Sequence, residues 1–165
     1  MEMNRDLIGY LLGFIIFIIG IPYLMYWASG SPGYDQIGLI RILLLIIFAL
    51  QGIDLSVESI IYMADVGNGN PFDAFNHEVA PRTTTLMTDG PYAICRNPML
   101  LGVFIYHFGV LIAFLSVGAI LILLIEIIIM NIQVKKEEQR LMQDFGWQYE
   151  EYVRNSNRFF PKLKK

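Results

Sequence analysis

The stretch from Gly90 to Gly102, GPYAICRNPMLLG, is a polar turn that leads directly into a long apolar run. The pair Gly90-Pro91 is typical of a turn. Asn97-Pro98 is a helix-start signal, because asparagine caps free backbone N–H groups and proline suits the first helical position. We therefore expect a helix to begin at Pro98, with its N-terminus pointing out of the apolar layer. Because a helix N-terminus carries a partial positive charge, this end and Arg96 together can receive an anion such as a carboxylate.

The composition of the whole chain excludes an ordinary soluble domain. Of its 165 residues, 55% are hydrophobic and only 16% are charged, and the mean hydropathy is +0.51. The apolar residues form runs long enough to cross a hydrocarbon core of about 30 Å at about 1.5 Å per helical residue. We predict an all-α, polytopic membrane helical bundle that forms a single domain over residues 1–165. Its four predicted transmembrane helices cover residues 7–28, 37–64, 98–114 and 117–134.

Each of the first two predicted spans has one feature that departs from a plain apolar helix. The first run is too long for a signal peptide and no small-residue cleavage site follows it, so we predict a retained helix that kinks at Pro22. In the second span, Asp54 and Glu58 share one helix face. We expect this half of the helix to protrude into the aqueous interface, and the alternative is a face that lines a polar cavity.

Residues 65–89 form the one long loop that the sequence predicts. They are rich in glycine, asparagine and proline, and a loop of this length usually has a function. Phe72, Phe75, Leu86 and Met87 give it apolar anchors, which favours a lid that folds over Tyr92. The alternative is a disordered connector. His77, within this loop, is expected at the surface rather than as a base.

The third and fourth apolar runs are joined only by Leu115-Ser116, which predicts a tight antiparallel hairpin. Polar residues that interrupt such runs usually face protein or water rather than lipid. We predict that His107 and Glu126 pair across the hairpin as a structural contact, in preference to a catalytic role. A single helix stripe leads from there toward the Arg96 turn and contains Glu126, Met130, Gln133 and Glu137.

Beyond Lys135 the chain becomes polar with an amphipathic spacing, which predicts short interfacial helices separated at Gly146. The single cysteine, Cys95, excludes an internal disulfide, and we interpret it as a packing residue rather than a nucleophile. The chain has only two histidines, and these and Cys95 lack metal-ligand spacing, so no metal site is predicted.

The distribution of basic residues predicts how the chain is oriented in the membrane. With four spans, the N-terminus, the 65–89 loop and the C-terminal tail lie on one side. That side carries Arg5, Arg82, Arg96 and every basic residue from Lys135 onward, whereas only Arg41 falls toward the other. The positive-inside rule places this side, and the candidate site with it, in the cytoplasm.

Several spaced motifs in the C-terminal half together resemble a known family. They are the Gly90-to-Gly102 turn with its Arg-Asn-Pro helix start, the pair Glu137-Glu138, and FGWQYEEYVRNSNRFFP from Phe145 to Pro161. In this order they resemble the isoprenylcysteine carboxyl methyltransferase family of integral-membrane methyltransferases. The resemblance implies an enzyme that uses S-adenosylmethionine as methyl donor.

The resemblance also implies roles for individual residues. Arg96 and the helix start would bind the carboxylate of the donor, Tyr92 its adenine, and Glu137 its ammonium or ribose hydroxyls. Methyl transfer is an in-line displacement in which the protein mainly positions the nucleophile and excludes water, so we assign no catalytic residue as a general base. The implied cofactor-binding residues are Leu86, Met87, Tyr92, Arg96, Asn97, Pro98, Met99, Leu100, Glu137 and Glu138.

The expected acceptor is a lipophilic molecule that enters from the bilayer and is contacted by Gln133 and Arg140. Eukaryotic enzymes of the family place an arginine where Gln133 stands, and it holds the substrate carboxylate. An unpaired carboxylate is costly in a water-poor site, so we expect a neutral or amine-bearing acceptor, such as a phospholipid amine, rather than a free prenylcysteine acid. The exception would be a cation supplied by Lys135, Lys136 or Arg140.

Two other classes of protein stay open at this point. One is a membrane reductase that binds a nicotinamide cofactor, for which the chain is short. The other is a non-enzymatic membrane subunit that keeps the fold without the donor site; the joint presence of Tyr92, Arg96 and Glu137 argues against it. Nothing in the sequence suggests a nucleic-acid partner.

Overall fold

The computed structural model describes residues 11–67 and 83–162, and the regular elements in these two ranges are helical. The predicted all-α membrane bundle is confirmed. Short 3-10 turns occur at Tyr34–Gln36 and Gly90–Ala93. The longer helices are α1 (Leu11–Ala28), α2 (Leu39–Asp65), α3 (Pro98–Ala113), α4 (Val117–Phe145) and α5 (Trp147–Asn155).

Three of these helices, α1, α2 and α4, are long and apolar enough to cross a membrane. Helix α3 is equally apolar but has only 16 residues. At about 1.5 Å per residue it rises about 24 Å, somewhat less than a typical hydrocarbon core. The described helices begin and end within about two residues of the predicted boundaries in α2 and α3. Residues 7–10 of the first predicted span lie outside the described residues.

Helix α4 runs well past the predicted end of the fourth span. The prediction that separate interfacial helices begin at Lys135 is wrong for residues 135–145, which continue α4 without a break. These residues are mostly strong helix formers and include neither proline nor glycine, so nothing stops the helix where its polarity changes. Gly146, with a φ of 54° in the left-handed region, ends α4 as expected, and α5 follows.

Helices α2 and α3 pack closely and antiparallel. A Cβ atom on Gly52 would lie 2.4 Å from the carbonyl oxygen of Gly102, so only glycine permits this approach. Small residues at the contact are typical of helix pairs in membranes. The Ser56 hydroxyl lies 2.9 Å from the carbonyl oxygen of Met99, in the first turn of α3. The start of α3 is thereby fixed beside the middle of α2.

The distortion expected at Pro22 takes the form of a π-helical segment, Phe14–Gly20, within α1. Proline has no N–H, so the carbonyls of Phe17 and Ile18, five and four residues before it, lack that intrahelical donor. Both find partners on α3. The Tyr106 hydroxyl donates to the Ile18 carbonyl over 3.1 Å, and His107 Nε2 lies 2.7 Å from the Phe17 carbonyl oxygen. The proline therefore supplies two docking points for the neighbouring helix.

The predicted contact between His107 and Glu126 is confirmed. His107 Nδ1 lies 2.9 and 2.8 Å from the two Glu126 carboxyl oxygens, and the side chains are almost completely buried. Both ring nitrogens of His107 therefore lie within hydrogen-bonding distance of oxygen atoms on neighbouring helices. This contact joins α3 to α4 and, through the Phe17 carbonyl, to α1.

Candidate functional site

A cavity of about 710 Å³, its open mouth included, lies between the end of α2, the Gly90-to-Gly102 turn and the polar half of α4. All ten residues proposed from the sequence to bind the cofactor line it. The other lining residues are Met63, Thr83, Leu141, Phe145, Tyr149 and Tyr152.

The turn that carries Tyr92 is fixed by aromatic residues on two helices. The hydroxyl of Tyr152, on α5, donates to the carbonyl of Tyr92 over 2.7 Å. On the other side, the Tyr62 ring of α2 lies with its centroid 6.1 Å from that of Tyr92. Tyr92 itself is buried, together with Met63 and Met87. One wall of the cavity is therefore a packed aromatic and methionine surface.

Residues 156–160, here named the C-terminal strap, run alongside the turn. The backbone N–H groups of Arg96 and Asn97 donate to the carbonyls of Asn157 and Arg158 over 2.9 and 3.1 Å. Pro98 occupies the first turn of α3 as predicted, but the predicted capping role of Asn97 is wrong. Its side chain donates instead to the Arg158 carbonyl over 3.2 Å, because the strap offers an acceptor on that side. No side chain caps this helix start among the described residues, and Met99 and Leu100 line the cavity there.

A network of two arginines and one carboxylate lies beneath the turn. Arg96 Nε donates to Glu138 Oε1 over 3.0 Å, and its Nη1 donates to the Ser156 carbonyl. Arg158 donates to the other oxygen, Glu138 Oε2, through Nε over 3.1 Å and through Nη2. Glu138 is therefore the shared counter-ion of Arg96 and Arg158. The Arg96 guanidinium, expected from the sequence to await an anion, is already tied to α4 and to the strap.

The adjacent residues Glu137 and Glu138 have different surroundings. Successive helical residues point about 100° apart, so the two carboxylates cannot both face the arginines. Within the described ranges, Glu138 holds both arginines, whereas Glu137 lines the cavity without an ion-pair partner. Of the pair, Glu137 is the one with a carboxylate available to a ligand.

Burial sets the protonation of the phenol and thiol groups around the cavity. It raises the pKa of Tyr92 well above the ordinary phenol value, and the nearby Glu137 carboxylate raises it further. Burial likewise raises the pKa values of Tyr149 and Tyr152. It also raises the pKa of the Cys95 thiol, which is fully buried. At neutral pH these groups are protonated, so the tyrosines act as aromatic walls and hydrogen-bond donors, and Cys95 behaves as a packing residue.

Some predicted residues do not join this site. Gln133 and Arg140, proposed to contact the acceptor, are absent from the cavity wall, and Lys135 and Lys136 are exposed. Asp54 and Glu58 are exposed on α2 and do not line this cavity either. The middle of the proposed lid, with Phe72, Phe75, His77 and Arg82, lies outside the described residues. So does the very end of the basic tail, at residues 163–165.

The structure adds functional candidates that sequence reasoning did not single out. Tyr149 and Tyr152 line the cavity, and Arg158 completes the network beneath it. All three lie in the quoted Phe145-to-Pro161 stretch, in which the sequence alone indicates only an apolar stripe and a basic ending. The Tyr152 hydroxyl bonds to Tyr92, 60 residues earlier, and the Arg158 side chain bonds to Glu138 and Asn131, 20 and 27 residues earlier. No local periodicity reports such separations.

Comparisons with known proteins add a family-level finding. The sequence profile of the phospholipid methyltransferase family matches residues 38–148, which is well over half of the chain. The cobalt-zinc-cadmium resistance protein CzcN of Cupriavidus metallidurans is 35% identical over 86 residues, which is 50% of this chain and 38% of that protein. The chain therefore matches less than half the length of this curated relative. No solved structure matches the chain.

Proposed function

Because the chain belongs to the phospholipid methyltransferase family, we propose that it transfers a methyl group from S-adenosylmethionine to a lipophilic acceptor at the membrane. The resemblance to isoprenylcysteine enzymes identified the related class of membrane methyltransferases, and the profile match favours the phospholipid branch of that class. The observation that carries the proposal is the single cavity in which all ten expected donor-binding residues meet.

The groups around the cavity fit S-adenosylmethionine. The uncapped start of α3 presents backbone N–H groups near Met99 and Leu100, which suits a carboxylate. Glu137 suits an ammonium group or ribose hydroxyls, and the buried Tyr92 ring suits adenine. The helix start is a better candidate for the carboxylate than Arg96, which is held by Glu138.

The residues of this chain contribute positioning and exclusion of water rather than proton transfer. When bound, S-adenosylmethionine supplies a methyl group on a sulfonium centre, which needs no activation by a side chain. Met63, Met87 and Leu100 are buried apolar groups that keep the cavity dry. An amine acceptor would have to arrive unprotonated, because its lone pair forms the new N–C bond. The protonated tyrosines around the cavity are not bases at neutral pH, so no general base is assigned.

A phospholipid amine is the acceptor that this proposal favours. The family match points to phospholipids, and Gln133 stands where a prenylcysteine-directed enzyme of the resembled family carries an arginine. The runner-up acceptor is an isoprenylcysteine carboxylate. Reconstituted protein incubated with labelled donor and, in separate reactions, phosphatidylethanolamine and acetyl-farnesyl-cysteine distinguishes them, since efficient methylation of the second alone would reverse the preference.

Glu137→Ala is expected to weaken binding of S-adenosylmethionine roughly tenfold or more, because a lost charge-assisted contact costs about 1.5–3 kcal/mol. Calorimetric titration of the detergent-solubilised protein measures this, with Glu150→Ala on the exposed face of α5 as the charge-matched control. S-adenosylhomocysteine and NADPH are titrated in parallel. Unchanged affinity in Glu137→Ala would remove Glu137 from the site, and binding of NADPH alone would favour a reductase.

The proposal includes an orientation, in which the cavity faces the cytoplasm and the four helices α1 to α4 all cross the membrane. Cysteines introduced at Asp89, Leu115 and Lys162, which are all exposed, test both statements. A membrane-impermeant thiol reagent should reach positions 89 and 162 from the cytoplasmic side and position 115 from the other side. The native Cys95 is fully buried and should not react. Labelling of positions 89 and 115 from the same side would show that α3 does not cross.

A further inference from the structure

Arg158 lies in the gap between α3 and α4, next to the cavity but not in its wall. Besides its contacts with Glu138, its Nη1 donates to Asn131 Oδ1 over 2.6 Å. Asn131 precedes Glu138 by two helical turns, about 10 Å nearer the centre of the apolar layer. The next strap residue, Phe159, packs edge to face on Phe104 of α3 with ring centroids 5.5 Å apart. The strap thus brings a guanidinium beside Asn131, a residue of the predicted fourth span.

The Arg158 guanidinium is only partly used by the protein. It has five N–H donors, and its contacts with Glu138 and Asn131 occupy three of them. The other two have no partner in the part of the chain that the structure describes. The Arg158 side chain is 27% exposed, against 10% for Arg96, which bonds to the same carboxylate. Arg158 is therefore the arginine of the network that can still accept a ligand.

The network also keeps a positive charge. Arg96 and Arg158 share the one carboxylate of Glu138, so these three side chains together carry one net positive charge. A charged side chain that faces an apolar layer is expensive, and in membrane proteins such groups usually mark a substrate pathway. If Arg158 only held the strap in place, its contacts with Glu138 would be sufficient. The additional contact with Asn131, on the predicted span, directs the guanidinium toward the bilayer.

We propose that Arg158, oriented by Asn131, binds the oxyanion of the acceptor headgroup and so determines acceptor specificity. The inference rests on the proposed methyl transfer. In an ethanolamine phospholipid a short linker joins the phosphate to the amine, so a phosphate held at Arg158 leaves the amine on the cavity side of Glu138. A lipid carboxylate has the same chemistry. The cation that α4 lacks at Gln133 is then supplied by the strap.

The test uses the full chain reconstituted in phosphatidylcholine nanodiscs. Methylation is measured with phosphatidylethanolamine, with sphingosine as a phosphate-free amine, and with acetyl-farnesyl-cysteine as a carboxylate, and KM and kcat are separated for each. Calorimetry reports donor affinity independently. The variants are Arg158→Gln and Asn131→Asp, and Arg154→Gln, an exposed arginine paired with Glu150 four residues earlier, is the matched control.

Asn131→Asp separates recognition from structure. The new carboxylate keeps the shape of Asn131 and strengthens its bond to Arg158, so the fold is retained, but it competes with an anionic headgroup. Arg158→Gln and Asn131→Asp should both raise KM about tenfold or more for whichever oxyanion-bearing acceptor the wild-type chain methylates. The KM for sphingosine and the donor affinity should stay within about twofold, and Arg154→Gln should change nothing. An effect on phosphatidylethanolamine identifies a phosphate, and an effect on the prenylcysteine identifies a carboxylate.

Equal losses for sphingosine and for the anionic acceptors would overturn the inference and leave Arg158 a structural residue. An unchanged KM in Asn131→Asp would overturn it as well, and this variant decides alone where Arg158→Gln does not fold. A wild-type chain that neither binds S-adenosylmethionine nor methylates any acceptor would refute the proposed function instead. The two failures are therefore distinguishable.

Discussion

Glu126→Ala is expected to lower the free energy of unfolding by about 3–5 kcal/mol, because it leaves His107 fully buried without its carboxylate partner. His107 Nε2 still faces the Phe17 carbonyl, so the ring cannot rotate freely to another acceptor. The loss also loosens α1, since its π-helical segment is held through the same imidazole. Unfolding in mixed detergent micelles, followed by circular dichroism, measures the difference.

The controls for this prediction separate the pair from simple loss of packing. Glu58→Ala removes the same side chain from the exposed face of α2 and should have little effect. The double variant His107→Phe with Glu126→Leu replaces the pair by apolar groups, and it should recover most of the loss, because isolated buried polar groups cost more than absent ones. A Glu126→Ala variant as stable as Glu58→Ala would mean that the pair does not hold the three helices together.

The parts of this fold that the sequence predicted are those fixed by local rules. Long apolar runs specify membrane helices, and Pro98 specifies where α3 begins. The pairing of His107 with Glu126 was predictable, because neither side chain is expected to face lipid. The tight hairpin brings the two helices that carry them side by side. The change from apolar to polar residues at Lys135 does not mark a helix end, because helix propensity continues unbroken to Gly146, and α4 therefore extends to Phe145.

The sequence predicts which residues line the cavity better than it predicts the hydrogen bonds among them. The motif residues meet in one cavity, as the resemblance implied, but which of them contact a ligand and which hold the site together depends on the strap. Asn97 stands in an ordinary capping sequence, yet its side-chain amide donates to the Arg158 carbonyl instead of capping α3. The strap likewise decides that Glu138 pairs with the arginines, whereas Glu137 lines the cavity. Such contacts join residues far apart in sequence, and only the folded chain decides between the competing acceptors.

Because Glu138 pairs with both arginines, its replacement is expected to have the second large effect. Glu138→Ala leaves Arg96 and Arg158 without their shared counter-ion, at a cost of about 2–4 kcal/mol, since the network is mostly but not completely buried. The C-terminal strap should then detach from the turn. Amide hydrogen exchange at Arg96 and Asn97 is the direct measurement, because their N–H groups donate to strap carbonyls. We expect exchange there to accelerate tenfold or more.

Glu137→Ala is the matched control, since it removes the same group one residue earlier in the same helix. It should leave exchange at Arg96 and Asn97 unchanged while weakening the binding of S-adenosylmethionine. Glu138→Ala should weaken that binding as well, but as a consequence of the displaced turn. Glu138→Gln keeps one acceptor oxygen for the two arginines, so it should restore part of both properties. If Glu138→Ala instead lowered donor affinity with the strap amides still protected, Glu138 would be a ligand-contacting residue, and the strap would be held by its backbone hydrogen bonds alone.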